Sequence, residues 1–108
     1  LYNCLQAIKR VKNKKLFALF NLSTIKPLDN KHILKKLKRF KTLITVEDHT
    51  IEGGIGSAIS EVISNSNYPK KIKMIGITNR FINSDNPTNL EKEFKLDPVS
   101  ISKILAKI

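Results

Sequence analysis

The sequence has few of the residue types that mark specialised sites. Its 108 residues include one cysteine, no tryptophan and only 6% aromatic residues. A single thiol excludes an internal disulfide and a cysteine-rich metal site, so we expect a reducing, cytoplasmic setting. No apolar run approaches the roughly 18 residues that a membrane-spanning helix needs, so we expect no membrane partner. With 41% hydrophobic residues, the chain predicts one domain with a modest, mainly aliphatic core.

Acidic residues are nearly absent from the first part of the chain. Residues 1–45 contain 12 lysine and arginine residues and a single acid, Asp29, whereas the rest of the chain contains 8 residues of each sign. Clustered lysine attracts nucleic-acid phosphates. However, these residues fall on the polar positions of helical patterns, and no aromatic residues are spaced among them as a platform for bases. The pattern therefore favours a solvated basic face, with nucleic-acid binding as the less favoured alternative.

Apolar residues recur at helical spacing in some segments and in short continuous runs in others. The helical patterns predict a helix at the start of the chain, one at about 30–40 capped by Asp29, one over 55–63, a short one over 88–94, and a last one after the Asp97–Pro98 pair. The apolar runs predict buried strands at 16–22, 42–46 and 72–77. Residues 78–89 are dense in turn-forming residues, which predicts an extended loop.

The order of these elements predicts the fold class. Strands that alternate with helices imply parallel crossovers and an α/β fold, here a three-layer α/β/α sandwich with a mostly parallel sheet. The first helix has no strand before it, and the chain starts at Leu1 rather than at a methionine. We therefore expect a fragment of a longer protein that lacks the first strand of its sheet.

The stretch VEDHTIEGGIGSAISEVI, residues 46–63, contains the candidate site. Gly53, Gly54 and Gly56 allow a tight turn into a helix, and the helix dipole is positive where their N–H groups are exposed, so the turn with Ser57 could bind an anion such as phosphate. The spacing is neither G-x-G-x-x-G nor a P-loop. The alternative is that the glycines provide a positive φ angle or close packing of helix on strand.

Two acids and a histidine precede this turn. His49, beside Asp48 and Glu47, could transfer a proton if a carboxylate oriented it. Successive residues on a strand point to opposite faces, however, so Asp48 and His49 need not meet. No serine or cysteine has an evident base. We therefore predict no catalytic residue and no metal site in this chain, and His49 as a hydrogen-bonding group at a loop or interface.

Arg80 is the only arginine in the charge-balanced part of the chain. It follows the third predicted strand, where its guanidinium could bind a carboxylate or phosphate through two N–H groups. An ion pair across a domain boundary is the alternative.

Three ordered segments resemble the C-terminal domain of the transketolase family. They are NLSTIKPLDNKHIL at 21–34, LITVEDHTIEGGIGSAISEVI at 43–63, and IGITNRFINSDNPTNLEKEFKLDPVSI at 75–101. The likeness is nearest to the separate C-terminal subunit of split transketolases. It extends to 1-deoxyxylulose-5-phosphate synthase and to the beta subunits of 2-oxo acid dehydrogenases. Residues 1–108 are thus similar to one C-terminal domain of a longer enzyme.

The resemblance implies a five-stranded mixed sheet with one antiparallel edge strand. It also implies a parent enzyme that uses thiamine diphosphate and Mg²⁺ to move a two-carbon ketol unit between sugar phosphates. In this family the cofactor lies between pyrimidine-binding and pyrophosphate-binding domains at a dimer interface. The resemblance therefore implies a structural, dimer-supporting chain that binds no cofactor and is inactive alone.

Few site residues carry over from the family. The matching positions, as loop and interface elements near a neighbouring domain, are Glu47, Asp48, His49, Gly53, Gly54 and Gly56. The chain departs from the family pattern in the later loop. There the usual D-R-F is Asn79-Arg80-Phe81, and the common S-G is Ser84-Asp85.

Overall fold

The computed structural model describes residues 1–23, 28–78 and 87–108. The five helices among these residues are α1 (Tyr2–Arg10), α2 (Asn30–Leu37), α3 (Ile55–Ser64), α4 (Pro87–Glu93) and α5 (Pro98–Ala106). The two strands are β1 (Thr42–Thr50) and β2 (Lys71–Ile77). The chain forms two compact units, one from Leu1–Asn21 with Arg80–Ile108 and one from Leu22–Asn79. No helix in the described ranges is long and apolar enough to cross a lipid bilayer.

In the first unit, α1 packs against α5. Cys4 and Ala7 are buried on α1, and Ile101 and Leu105 are buried on α5, in agreement with the apolar spacing of both segments. The side-chain amide of Asn3 donates a hydrogen bond to the carbonyl of Leu96 at 3.0 Å. Burial raises the pKa of the Cys4 thiol, which disfavours the reactive thiolate.

The start of α5 has the predicted cap. Asp97 accepts a hydrogen bond from the backbone N–H of Ser100 at 2.9 Å, and Pro98 occupies the first turn. Burial acts to raise the pKa of the Asp97 carboxyl, but hydrogen bonds from Ser100 and the backbone outweigh it, so this pKa lies below its usual value.

The second unit contains the sheet. β1 and β2 pair in parallel from Thr42 opposite Lys71 to Val46 opposite Ile75, and α3 connects them and packs on both. Asp29 caps α2 as predicted, by accepting a hydrogen bond from the N–H of His32 at 3.0 Å. The core of this unit consists of Ile33, Leu37, Leu43, Ile59 and Ile63.

The α/β class with a parallel sheet is confirmed, but the strand predicted at 16–22 is wrong. Lys14–Leu16 forms a 3₁₀ turn, and residues 17–23 are not part of any strand. Leu16 is 70% exposed. The almost unbroken apolar run at 16–22 predicted a buried strand, but most of these residues are exposed in the structure, and a strand also needs hydrogen bonds from a neighbouring strand, which a sequence pattern does not supply. The described sheet therefore has two strands rather than three.

Candidate functional site

An open cleft of about 420 Å³ lies where β1 ends and the chain turns into α3. It is lined by residues 46–50 and 52–55, which include most of the predicted site. In a parallel sheet, loops at the carboxyl ends of the strands are the usual place for ligands and contacts. The structure therefore locates the predicted turn at a position where function is common.

β1 extends beyond the predicted strand and is irregular at this end. Val46 pairs with Ile75, but the next pair is Thr50 with Ile77. Between these two pairs the chain advances four residues along β1 and only two along β2. The surplus residues form a bulge, and such irregularities redirect side chains near functional sites. The segment predicted as a loop after Val46 is thus a bulged continuation of the strand.

Glu47 points inward from this bulge and is only 7% exposed. Its carboxylate accepts hydrogen bonds from the backbone N–H groups of Ile55, at 2.5 Å, and Gly56, at 3.0 Å. These are first-turn amides of α3, where the helix dipole is positive and no intrahelical partner is available. Glu47 therefore supplies, from within the chain, the negative charge that the helix start favours.

The other amides of the turn also have internal acceptors. The N–H of Gly53 donates to the Ser57 hydroxyl at 3.1 Å, and the N–H of Gly54 donates to the carbonyl of Ile51 at 3.4 Å. The Ser57 hydroxyl in turn donates to the same Ile51 carbonyl at 2.9 Å. Four consecutive amides, from Gly53 to Gly56, are thus engaged within the protein. This geometry does not support the anion-binding interpretation of the turn.

The three glycines meet different steric requirements. Gly53 has φ of +73°, a left-handed conformation that side chains disfavour. A Cβ atom on Gly54 would overlap the carboxylate of Glu47. A Cβ atom on Gly56 would lie 2.6 Å from Met74 Sδ and 2.7 Å from Thr45 Oγ1. The glycines therefore serve positive φ and close packing, which is the alternative derived from the sequence.

Thr45 is a buried residue that the sequence did not single out. Its hydroxyl faces Gly56 and has no hydrogen-bond partner, which leaves a desolvated polar atom. We predict that Thr45→Val raises the free energy of unfolding by about 1 kcal/mol, because the isosteric methyl group carries no such penalty. Urea unfolding measures the effect, and Thr42→Val at the start of the same strand is the control, with no change beyond about 0.5 kcal/mol. A loss of stability in Thr45→Val would show that the hydroxyl is bonded.

Asp48 and His49 face solvent from the bulge. His49 Nε2 lies 3.2 Å from Asp48 Oδ1, and their side chains are 86% and 88% exposed. The two side chains do meet, contrary to the alternation expected of a regular strand, because the bulge interrupts that alternation. An exposed pair of this kind lacks the sheltered surroundings of an acid–base group.

The remaining predicted residue, Arg80, lies outside the described residues, as do Asn79 and Phe81. No group of three or more histidine, cysteine, aspartate or glutamate side chains converges as a metal site within the described ranges. The structure thus brings together Glu47, the glycines and Ser57, and turns Asp48 and His49 away from them.

The sequence missed the role of Glu47 as an internal cap. Its acceptor oxygens reach amides eight and nine residues along the chain, far beyond the three-residue spacing of a capping box. The available signal was alternation: Leu43, Thr45 and Glu47 share one face of β1.

Comparison with known proteins identifies the family. Residues 1–101 match the family described as transketolase, C-terminal domain. The chain belongs to this family. A putative transketolase C-terminal section from Methanocaldococcus jannaschii is 44% identical over 85 residues, which cover 79% of this chain and 26% of that protein.

The relatives of this transketolase C-terminal domain also include synthases. A 1-deoxy-D-xylulose-5-phosphate synthase from Cytophaga hutchinsonii is 34% identical over 91 residues, covering 84% of this chain and 14% of that protein. Its counterpart from Clostridium beijerinckii is 36% identical over 90 residues, covering 83% of this chain and 15% of that protein. The chain thus spans about a quarter or less of the length of these relatives.

Proposed function

We propose that the chain is the structural, dimer-supporting C-terminal domain of a thiamine-diphosphate-dependent enzyme. The parent enzyme, a cytoplasmic homodimer, transfers a two-carbon ketol unit between sugar phosphates. The observation that carries the proposal is the family match over residues 1–101. The relative named as a transketolase C-terminal section supports it, because that protein is itself described as one section of an enzyme.

The geometry of the turn supports a structural role. Glu47 and Ser57 bind the amides of the Gly53–Gly56 turn, so the polar groups that define its shape are satisfied internally. Asp48 and His49 are exposed beside it. In the proposed role, the inner residues fix the shape of the turn. Asp48 and His49, together with Arg80, contact the neighbouring domain.

The cofactor belongs to other parts of the enzyme in this proposal. Thiamine diphosphate needs donors for its pyrophosphate and oxygen ligands for Mg²⁺. The α3 amides that could hold a pyrophosphate are already bonded to Glu47, so the turn does not fit the cofactor. We assign thiamine diphosphate and Mg²⁺ to the pyrimidine-binding and pyrophosphate-binding domains or subunit, which are the partners of this chain.

A second candidate is the same domain in a 1-deoxy-D-xylulose-5-phosphate synthase, favoured by the relatives at 34% and 36% identity. A 2-oxo acid dehydrogenase beta subunit is the third member of this group. The three share the domain and differ in the chemistry of the remaining parts.

The test is to co-express the chain with the thiamine-binding domains or subunit of the same enzyme and to assay the purified assembly. We expect ketol transfer between sugar phosphates by the assembly, none by the chain alone, and loss of the dimer when the chain is omitted. Formation of 1-deoxy-D-xylulose 5-phosphate instead would select the second candidate. Ketol transfer by the chain alone would contradict the structural role. So would a thiamine-binding part that is as active and as dimeric without the chain as with it.

A further inference from the structure

The amino-terminal edge of the sheet collects positive charge from segments far apart in sequence. We define the basic edge as Lys38, Arg39, Lys41, Lys71 and Lys73, all of which are exposed. The first three lie between the end of α2 and the start of β1, and the last two lie on β2.

Hydrogen bonds to backbone carbonyls hold these segments together. The ammonium group of Lys70 donates hydrogen bonds to the carbonyls of Lys38, at 3.1 Å, and Phe40, at 2.5 Å. The N–H of Lys71 donates to the carbonyl of Lys41 at 3.3 Å. Lys71 and Lys73 are two residues apart on β2, so their side chains share a face. The basic edge is therefore one surface patch rather than separate lysines.

The charges of the basic edge are not neutralised within the second unit. None of its five residues forms an ion pair with a carboxylate in the part of the chain that the structure describes. Among the exposed acids of this unit, Asp48 and Glu52 are at or beyond the carboxyl end of β1, Asp29 caps the start of α2, and Glu61 lies on α3 without an ion pair in the described residues. Like charges held together repel one another, and an anionic partner would relieve that repulsion.

Two aromatic rings position cations of the basic edge. The Lys38 ammonium lies 5.0 Å from the centre of the Tyr68 ring, and the Arg39 guanidinium lies 5.0 Å from the centre of the Phe40 ring. Such contacts restrict long side chains before binding and so lower the entropy cost of docking. They also place a cation over one face of each ring, which reduces the ring surface open to stacking with nucleic-acid bases.

We propose that the basic edge docks on an acidic protein surface of the thiamine-binding part of the same enzyme. The inference rests on the proposed function and names the chemistry of a second contact, separate from the Glu47 turn. The chain spans only 14% to 26% of its relatives, so most neighbouring surface in the enzyme belongs to other domains. A second copy of the chain is a poorer match, because the exposed acids described in the second unit, Asp29, Asp48, Glu52 and Glu61, are spread from the start of α2 to α3 rather than gathered in one acidic patch.

The test is the affinity of the chain for the thiamine-binding domains or subunit, measured by analytical ultracentrifugation at several salt concentrations. We expect K71E/K73E to weaken binding at least tenfold and to flatten its salt dependence, and K71R/K73R to bind like the unchanged chain. R39E/K41E reverses two other charges of the patch and should give the same loss. K12E/K14E is the matched control, since it makes the same change of net charge at exposed positions of the first unit and should bind normally.

Several results would overturn the inference. If K71E/K73E and R39E/K41E bind as tightly as K12E/K14E, with unchanged circular dichroism, then the basic edge does not dock on an acidic surface of the partner. K71E/K73E could instead abolish self-association of the chain, or its binding to single-stranded RNA, and leave the affinity for the thiamine-binding part unchanged. That result would assign the basic edge to a second copy of the chain or to RNA. If the unchanged chain does not associate with the thiamine-binding part at all, the proposed function itself fails.

Discussion

Replacing Glu47 by alanine is expected to lower the free energy of unfolding by at least about 3 kcal/mol, because the first turn of α3 loses both carboxylate acceptors. Hydrogen bonds to a charged group contribute about 1.5–3 kcal/mol each, and a negative charge at a helix start adds about 0.3–1 kcal/mol. The affected amides belong to Ile55 and Gly56. Urea unfolding followed by circular dichroism measures the loss.

Two variants sharpen this prediction. Glu47→Gln keeps one carbonyl acceptor but not the charge, so it should lose about half as much stability as Glu47→Ala. Glu52→Ala removes an exposed acid from the same turn and should change stability by no more than about 0.5 kcal/mol. Equal effects of Glu47→Ala and Glu52→Ala would mean that the cap contributes little.

Gly54→Ala is expected to lower the free energy of unfolding by about 2 kcal/mol. The φ angle of Gly54 is −91°, which alanine adopts without strain. The cost comes instead from the added methyl group, which would overlap the Glu47 carboxylate, and overpacking of this kind costs about 1–3 kcal/mol. The same urea unfolding experiment measures it.

A double-mutant cycle separates this clash from other effects of the substitution. In the Glu47→Ala background the methyl group no longer meets a carboxylate and keeps only its contact with the Thr50 carbonyl at 3.1 Å, so Gly54→Ala should cost less than about 1 kcal/mol there. Gly53→Ala is the comparison, because its φ of +73° makes alanine strained while a Cβ atom there would meet no other atom within 4 Å. Its effect should be about 1 kcal/mol in both backgrounds. Additive effects of Gly54→Ala and Glu47→Ala would contradict the clash.

Much of the fold could be predicted from local patterns. Helical spacing located α1, α2, α3 and α5, and the caps at Asp29 and Asp97 form as their residue types indicate. The failure at residues 16–22 has a physical cause. Apolar composition indicates that a segment favours burial, but residues 16–22 are mostly exposed, and a strand is defined by hydrogen bonds to another segment, which depend on the rest of the chain.

The location of the glycine turn between β1 and α3 could be predicted from the sequence, but its internal hydrogen bonds could not. The glycine turn suggested a helix start with free amides, and the structure shows those amides bonded to Glu47 and Ser57. Sequence spacing cannot show that a bulge turns Glu47 inward and lets Asp48 and His49 meet outside. Such details depend on the register of β1 against β2, which is set by packing across the sheet.

The division of the chain into two units has a consequence for the order of folding. The sheet unit is continuous in sequence, and β1, α3 and β2 follow one another within residues 42–77. The other unit joins Leu1–Asn21 to Arg80–Ile108, so α1 and α5 must close a long loop before they meet. Loop closure costs entropy that only later contacts recover, and non-local contacts slow folding. The contiguous sheet unit is thus positioned to fold first, and pairing of α1 with α5 becomes easier once the intervening chain is compact.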